Sequence, residues 1–269
     1  MIRKLLLLLL PVMSALSAAA QHTLVIRSDT YPKADTVLYF VPGGYAADGK
    51  IPAALLLHGY GGSPRQWMGV APLQTLADEY GMMLICPDGF RESWYIDAPG
   101  GGDDFATFMS QSVIPGIIER LPVDTSLFFV TGLSMGGHGS IQMMLRCPGL
   151  FAAVGSMSGV MDLRESALSK TCLARLLGPK SDSNANWARY SAVDNVQAVK
   201  DAGTPIIISC GAQDYLIEAN RTFARKCGAM GVDIVYMESP GRHENKYWRI
   251  TLPEHLRFFR KFVNKRNNN

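Results

Sequence analysis

The chain has 269 residues, of which 48% are hydrophobic and 18% charged. That composition supports a substantial core and argues against extended disorder. The formal net charge is +3, and two of the positive charges, Arg3 and Lys4, lie at the extreme N-terminus. The remainder is nearly balanced, so bulk charge gives no basis for a nucleic-acid or anionic-membrane partner.

In chain order, "MIRKLLLLLLPVMSALSAAAQH" comes first. A short basic start, a leucine run and a small-residue stretch make the layout of a secretory signal peptide, with cleavage after Ala20. The apolar run is short for a bilayer span and ends at Pro11, and no later segment is long and apolar enough to cross. The expected product is exported, periplasmic or secreted, without stable membrane insertion. Residues 21–269 are expected to form one domain. Five cysteines leave at least one unpaired within the chain, and their spacing resembles no metal site. Cys86 and Cys210 end apolar runs, as buried free thiols do.

"TLVIRS" (23–28) and "TVLYFVP" (36–42) suit two strands of a hairpin. Six more apolar runs follow at 53–59, 82–88, 127–134, 151–159, 205–214 and 232–241. Several are apolar at consecutive positions, as strands buried on both faces are. Helical segments are expected near 72–80, 104–120, 135–146, 217–229 and 249–263. The alternation predicts an α/β fold with a mostly parallel central sheet and helices on both faces. Residues 161–203 make a long connection, of a kind that often covers a site.

"TGLSMGGHGS" (131–140) joins the strand "LFFV" to a helical stretch, and its Gly132-Leu133-Ser134-Met135-Gly136 fits G-x-S-x-G. Small flanking residues let the chain turn sharply enough to lift the Ser134 hydroxyl clear of the sheet, beside the free N–H groups of a helix start. A serine hydroxyl needs a base. His22 stands at the mature N-terminus, where disorder is expected. His58 belongs to "LLLHGYGG", His138 lies one turn past Ser134, and His255 lies in the last helix, where a surface or packing role is expected. His243, in "ESPGRHENKYW", follows the last strand, at the sheet end where open α/β folds place their sites. Asp214 ends "PIIISCGAQD" at the same end, although it also suits a helix N-cap before "YLIEANRTF". Asp194, Asp233 and Glu238 are the rival acids. Ser134, Asp214 and His243 then follow the chain order of α/β-hydrolases. "HGYGG" (58–62) is either a flexible turn or an oxyanion loop, with the Tyr60 and Met135 backbone N–H groups as candidate donors.

"LLLHGYGGSPRQW", "GLSMGGHGS", "CGAQD" and "GRHENKYWRITLPEHLRFF" resemble the esterase D-type family of α/β-hydrolases. That family includes S-formylglutathione hydrolases, tributyrin esterases, feruloyl and acetyl-xylan esterases and mycolyltransferases. The similarity runs from about residue 35 to 263. It implies the same triad and oxyanion donors, and a pocket-lining loop at "SWYIDAP" (93–98). Trp94, Tyr95 and Trp248 are the expected substrate-binding aromatics, with burial in the core as the alternative for each. The reading is a serine carboxylesterase that needs no metal or organic cofactor. Its expected partner is a small-molecule or oligosaccharide ester, acetyl or hydroxycinnamoyl. An acyltransferase, a general short-chain esterase or thioesterase, and a non-catalytic binding protein are the alternatives.

Overall fold

A computed structural model describes residues 21–45 and 49–267. The expected signal peptide, residues 1–20, lies outside the described residues. The strands are β1 (His22–Ser28), β2 (Tyr31–Phe40), β3 (Ile51–Leu57), β4 (Met83–Cys86), β5 (Val123–Gly132), β6 (Ala153–Met157), β7 (Ile206–Gly211) and β8 (Ile234–Ser239). They form one sheet in the order β1-β2-β4-β3-β5-β6-β7-β8. β1 and β2 pair antiparallel, β2 joins β4 antiparallel, and every pairing from β4 to β8 is parallel. The fold is that of an α/β-hydrolase. Strands β3, β4, β6 and β7 are buried along their whole lengths, because helices cover both faces of the sheet. The hairpin brings His22 opposite Tyr39, with their rings stacked at 5.0 Å. Strand pairing therefore orders a residue for which disorder is the sequence expectation.

One face carries α1 (Gln66–Val70), α2 (Leu73–Tyr80) and the C-terminal helix, Asn245–Asn267, whose Leu252, Leu256 and Phe259 pack with Leu56, Leu84 and Phe129 of the sheet. The other face carries α3 (Phe105–Phe108), α4 (Ile114–Arg120), α5 (Met135–Arg146), α6 (Leu173–Leu177), α7 (Asn186–Tyr190), α8 (Val196–Ala202) and α9 (Ile217–Ala229). The C-terminal helix is then α10. A π-helical turn, Met109–Val113, joins α3 to α4, so the helix expected at 104–120 is continuous but under-wound. Residues 161–203 hold α6, α7, α8 and two short 3₁₀ turns. Among the described residues no helix is long and apolar enough to cross a membrane.

His255 of α10 is fully buried and bridges two strands, with Thr131 Oγ1 of β5 at 2.9 Å and Ser209 Oγ of β7 at 3.0 Å. It passes over β6 at Gly155, where a Cβ would stand 2.4 Å from His255 Nδ1. Of the two roles open to it, the structure selects packing. Burial lowers the pKa of His255 to about 3 and that of His138 to about 4. Both rings then stay neutral in the folded protein while the unfolded chain takes up protons below about 6.5. Stability carried by these rings is therefore complete above that pH and is lost as the pH falls toward the folded values. Asp35 is a buried carboxyl whose pKa burial pushes well up, and it works in the opposite sense. A comparison of variants isolates the histidine. The unfolding free energy of His255→Gln, followed by denaturant titration between pH 4 and 6, should depend on pH more weakly than wild type by about one proton. An identical slope would show that His255 titrates while folded.

Candidate active site

Ser134 sits between β5 and α5 with φ 54° and ψ −118°, a conformation that costs a residue with a Cβ about 1–3 kcal/mol. Its surroundings leave no other course. The Leu133 N–H donates to Leu57 O at 3.2 Å and the Ser134 N–H to Met157 O at 2.9 Å, which suspends the turn between β3 and β6. The start of α5 presses against this corner. A Cβ on Gly132 would stand 2.3 Å from the Gly136 carbonyl carbon, and one on Gly136 would stand 2.1 Å from Leu57 O. Both glycines of G-x-S-x-G are thus required by close backbone approach.

His243 Nε2 lies 2.9 Å from Ser134 Oγ, and His243 Nδ1 lies 2.9 Å and 3.1 Å from the two carboxylate oxygens of Asp214. An ionised carboxylate only accepts, so Nδ1 carries the ring proton and Nε2 is the acceptor facing the hydroxyl. Asp214 is buried, whereas Ser134 and His243 keep partial exposure. Burial pushes the Asp214 carboxyl up. Hydrogen bonding and charge from His243, with a bond from the Leu216 N–H at 2.9 Å, outweigh it and hold the group below its ordinary value.

The loops that carry acid and imidazole are tied together. The Gln213 N–H donates to Gly241 O at 2.9 Å, and the Gly241 N–H donates to Gln213 Oε1 at 2.8 Å. The rival acids are engaged elsewhere. Glu238 receives Arg221 and the Tyr236 hydroxyl, and Asp194 receives Arg164. Asp233 precedes β8, at the far end of the sheet.

The "HGYGG" loop runs beside the serine, for a Cβ on Gly59 would stand 3.4 Å from Ser134 Cβ. Three of its N–H groups are taken. Gly59 donates to Gln66 Oε1, Gly61 to Arg91 O and Gly62 to Gly59 O. Neither the Tyr60 N–H nor the Met135 N–H makes a turn, loop or cap bond to backbone among the described residues. His58 is fully buried and pins the loop, accepting the Gly89 N–H at Nε2 and facing Gly59 O at 2.9 Å through Nδ1. No cluster of three or more His, Cys, Asp or Glu able to hold a metal occurs among the described residues.

A hydroxyl on a strained turn, an imidazole poised as its base, a buried carboxylate and two free N–H groups together suit acyl transfer. The family described as "Putative esterase" matches residues 28–259. The chain belongs to this esterase family. It is a serine hydrolase acting on carboxylic esters. An acetyl esterase of Caldicellulosiruptor saccharolyticus is 26% identical over 72% of this chain and 77% of its own. The S-formylglutathione hydrolase of Mus musculus is 24% identical over 81% of this chain and 86% of its own. A fluorophosphonate-binding serine hydrolase of Staphylococcus aureus superposes with a TM-score of 0.77 at 20% identity, covering 90% of this chain and 98% of that one. This last likeness is one of fold.

The aromatic residues expected to meet substrate sit differently in this esterase. Trp94, Tyr95 and Trp248 are 1%, 0% and 5% exposed. Tyr95 lies against the Gly139 backbone of α5 and donates its hydroxyl to His58 O at 3.2 Å. Trp94 packs edge-on to His138, and Trp248 packs edge-on to His243 at 5.0 Å. Their faces are spent on packing, which corrects the expectation that they offer an open surface to a ligand. The exposed ring beside the imidazole is Tyr215, 53% exposed and 4.6 Å from His243. It is absent from the aromatics expected at the substrate, and its place directly after Asp214 is the signal in the sequence that marks it.

Proposed function

We propose that this esterase is exported and removes acetyl or hydroxycinnamoyl groups from carbohydrate esters, with Ser134, His243 and Asp214 as its catalytic residues. The observation that carries the chemistry is the unbroken chain from Ser134 Oγ through His243 to Asp214, each link 2.9 Å long. Ser134 Oγ attacks the ester carbonyl carbon, and its proton passes to His243 Nε2. Asp214 stabilises the imidazolium. The Tyr60 and Met135 N–H groups receive the oxyanion. His243 then returns the proton to the departing alcohol, leaving an acyl-serine. Water, deprotonated by the same nitrogen, releases the acid and restores the hydroxyl.

Two observations support the substrate. The basic, leucine-rich N-terminus suits export, which removes the protein from the cytosolic glutathione that a thioester reaction would draw on. The acetyl esterase relative aligns over most of both chains. The check is kcat/KM for acetylated and feruloylated oligosaccharides against triglycerides and S-formylglutathione. The carbohydrate esters are expected to lead. A tenfold preference for either competitor would overturn the carbohydrate reading and leave the esterase chemistry standing.

A further inference from the structure

Beyond the "HGYGG" loop lies a groove of about 620 Å³ in which none of the residues named above as catalytic takes part. Gly62 of that loop and the following Ser63 line it together with Tyr31, Phe90, Arg91 and Asp103. The groove adjoins the candidate site through one side chain. Tyr60, whose N–H is a candidate oxyanion donor, sends its hydroxyl to Glu92 Oε1 at 2.9 Å, and Glu92 lines the groove. The Gly61 N–H bond to Arg91 O, 2.7 Å long, holds the two loops edge to edge. A second recess of about 200 Å³ shares Ser63 and Asp88 with the first and carries the depression on toward β1 and β2.

Its chemistry is mixed. Lys33, Arg91 and Arg175 line the same space as Asp88, Glu92 and Asp103. Arg175 lies 3.7 Å from Glu92, and Asp103 accepts the Tyr31 hydroxyl at 2.9 Å. Lys33 and Arg91 form no ion pair among the described residues. An anionic ligand would meet three carboxylates here. A neutral polyol, whose hydroxyls both donate and accept, can use both sets. Phe90 also lines the groove, with the Lys33 ammonium 5.4 Å from the centre of its ring. Phe90 is half-buried, stacks on Tyr31 and holds φ at +47°. Left-handed backbone is uncommon for a bulky residue and tends to occur at binding sites.

We infer that this groove is the saccharide subsite of the esterase, holding the neutral sugar units on the alcohol side of the scissile ester. The assignment rests on the deacylation reading above. Binding that is equal in ground and transition states appears in KM and leaves kcat in place. Lys33→Ala/Arg91→Ala should therefore lower the ratio of kcat/KM for an acetylated xylo-oligosaccharide to that for 4-nitrophenyl acetate by about tenfold, through KM. Phe90→Ala should shift the ratio in the same direction. In the Ser134→Ala background, the double substitution should weaken binding of the deacylated oligosaccharide, measured by calorimetry, by a similar factor. An unchanged ratio with wild-type turnover of the saccharide ester would overturn the subsite alone. A ratio that falls only for a uronate-bearing oligosaccharide would overturn the neutral-sugar assignment. Cleavage of the aryl ester with no turnover of any saccharide ester by wild type would overturn the deacylation reading and the subsite with it.

Discussion

Ser134→Ala and His243→Ala are each expected to lower kcat by about four to six orders of magnitude in a protein that still folds. The hydroxyl and Nε2 stand 2.9 Å apart, within the range over which a proton transfers as the new bond forms. Removing the hydroxyl removes the atom that bonds to the acyl carbon. Removing the imidazole leaves a neutral alcohol with no acceptor, and a serine hydroxyl is then too weak a nucleophile at neutral pH. The losses should not add, because the two groups act in one step. Ser134 and His243 are partly exposed and bear little of the core, so circular dichroism and thermal midpoint should stay near wild type. Residual catalysis would come from the Tyr60 and Met135 N–H groups, which neither substitution touches. The checks are steady-state rates on an aryl acetate and covalent labelling by a fluorophosphonate, expected to be lost with Ser134. A folded variant of either kind that kept a tenth of the activity would displace that residue from the mechanism.

Asp214→Asn is expected to cost about 10⁴ in rate near neutral pH. The carboxylate accepts the Nδ1 proton and leaves Nε2 free to accept from Ser134. An amide can turn its NH₂ toward Nδ1 instead, which moves the ring proton to Nε2 and points a donor at a donor. It also removes the negative charge that stabilises the imidazolium in a buried setting. Glu238→Gln should change the rate by less than about twofold, since its carboxylate is occupied by Arg221 and Tyr236 at the surface. The pair is read by kcat/KM across pH 5–9. A larger loss in the Glu238 variant would move the acid from the end of β7 to β8.

By itself the sequence determined the α/β alternation, the parallel character of the central strands and the strained turn that carries Ser134. These are local matters. Consecutive apolar residues mark strands such as Ala53–Leu57, and G-x-S-x-G between a strand and a helix specifies one corner. Chain order also narrowed the base and acid, because a residue at a strand's C-terminal end has only one rim of the sheet to occupy. Tertiary structure decided what depends on pairs distant in sequence. Whether Asp214 or Glu238 faces His243 turns on how the loops after β7 and β8 meet at Gln213 and Gly241. That His255 lies inside follows from a gap over Gly155 that no helical pattern reveals. Trp94, Tyr95 and Trp248 show the same division. A loop aromatic is equally suited to a ligand or to its own protein; Trp94 and Tyr95 are buried because α5 arrives to cover them, and Trp248 is carried inward on α10 itself. Periodicity records which face of an element is apolar, whereas burial of a loop side chain depends on neighbours that only the folded chain brings near.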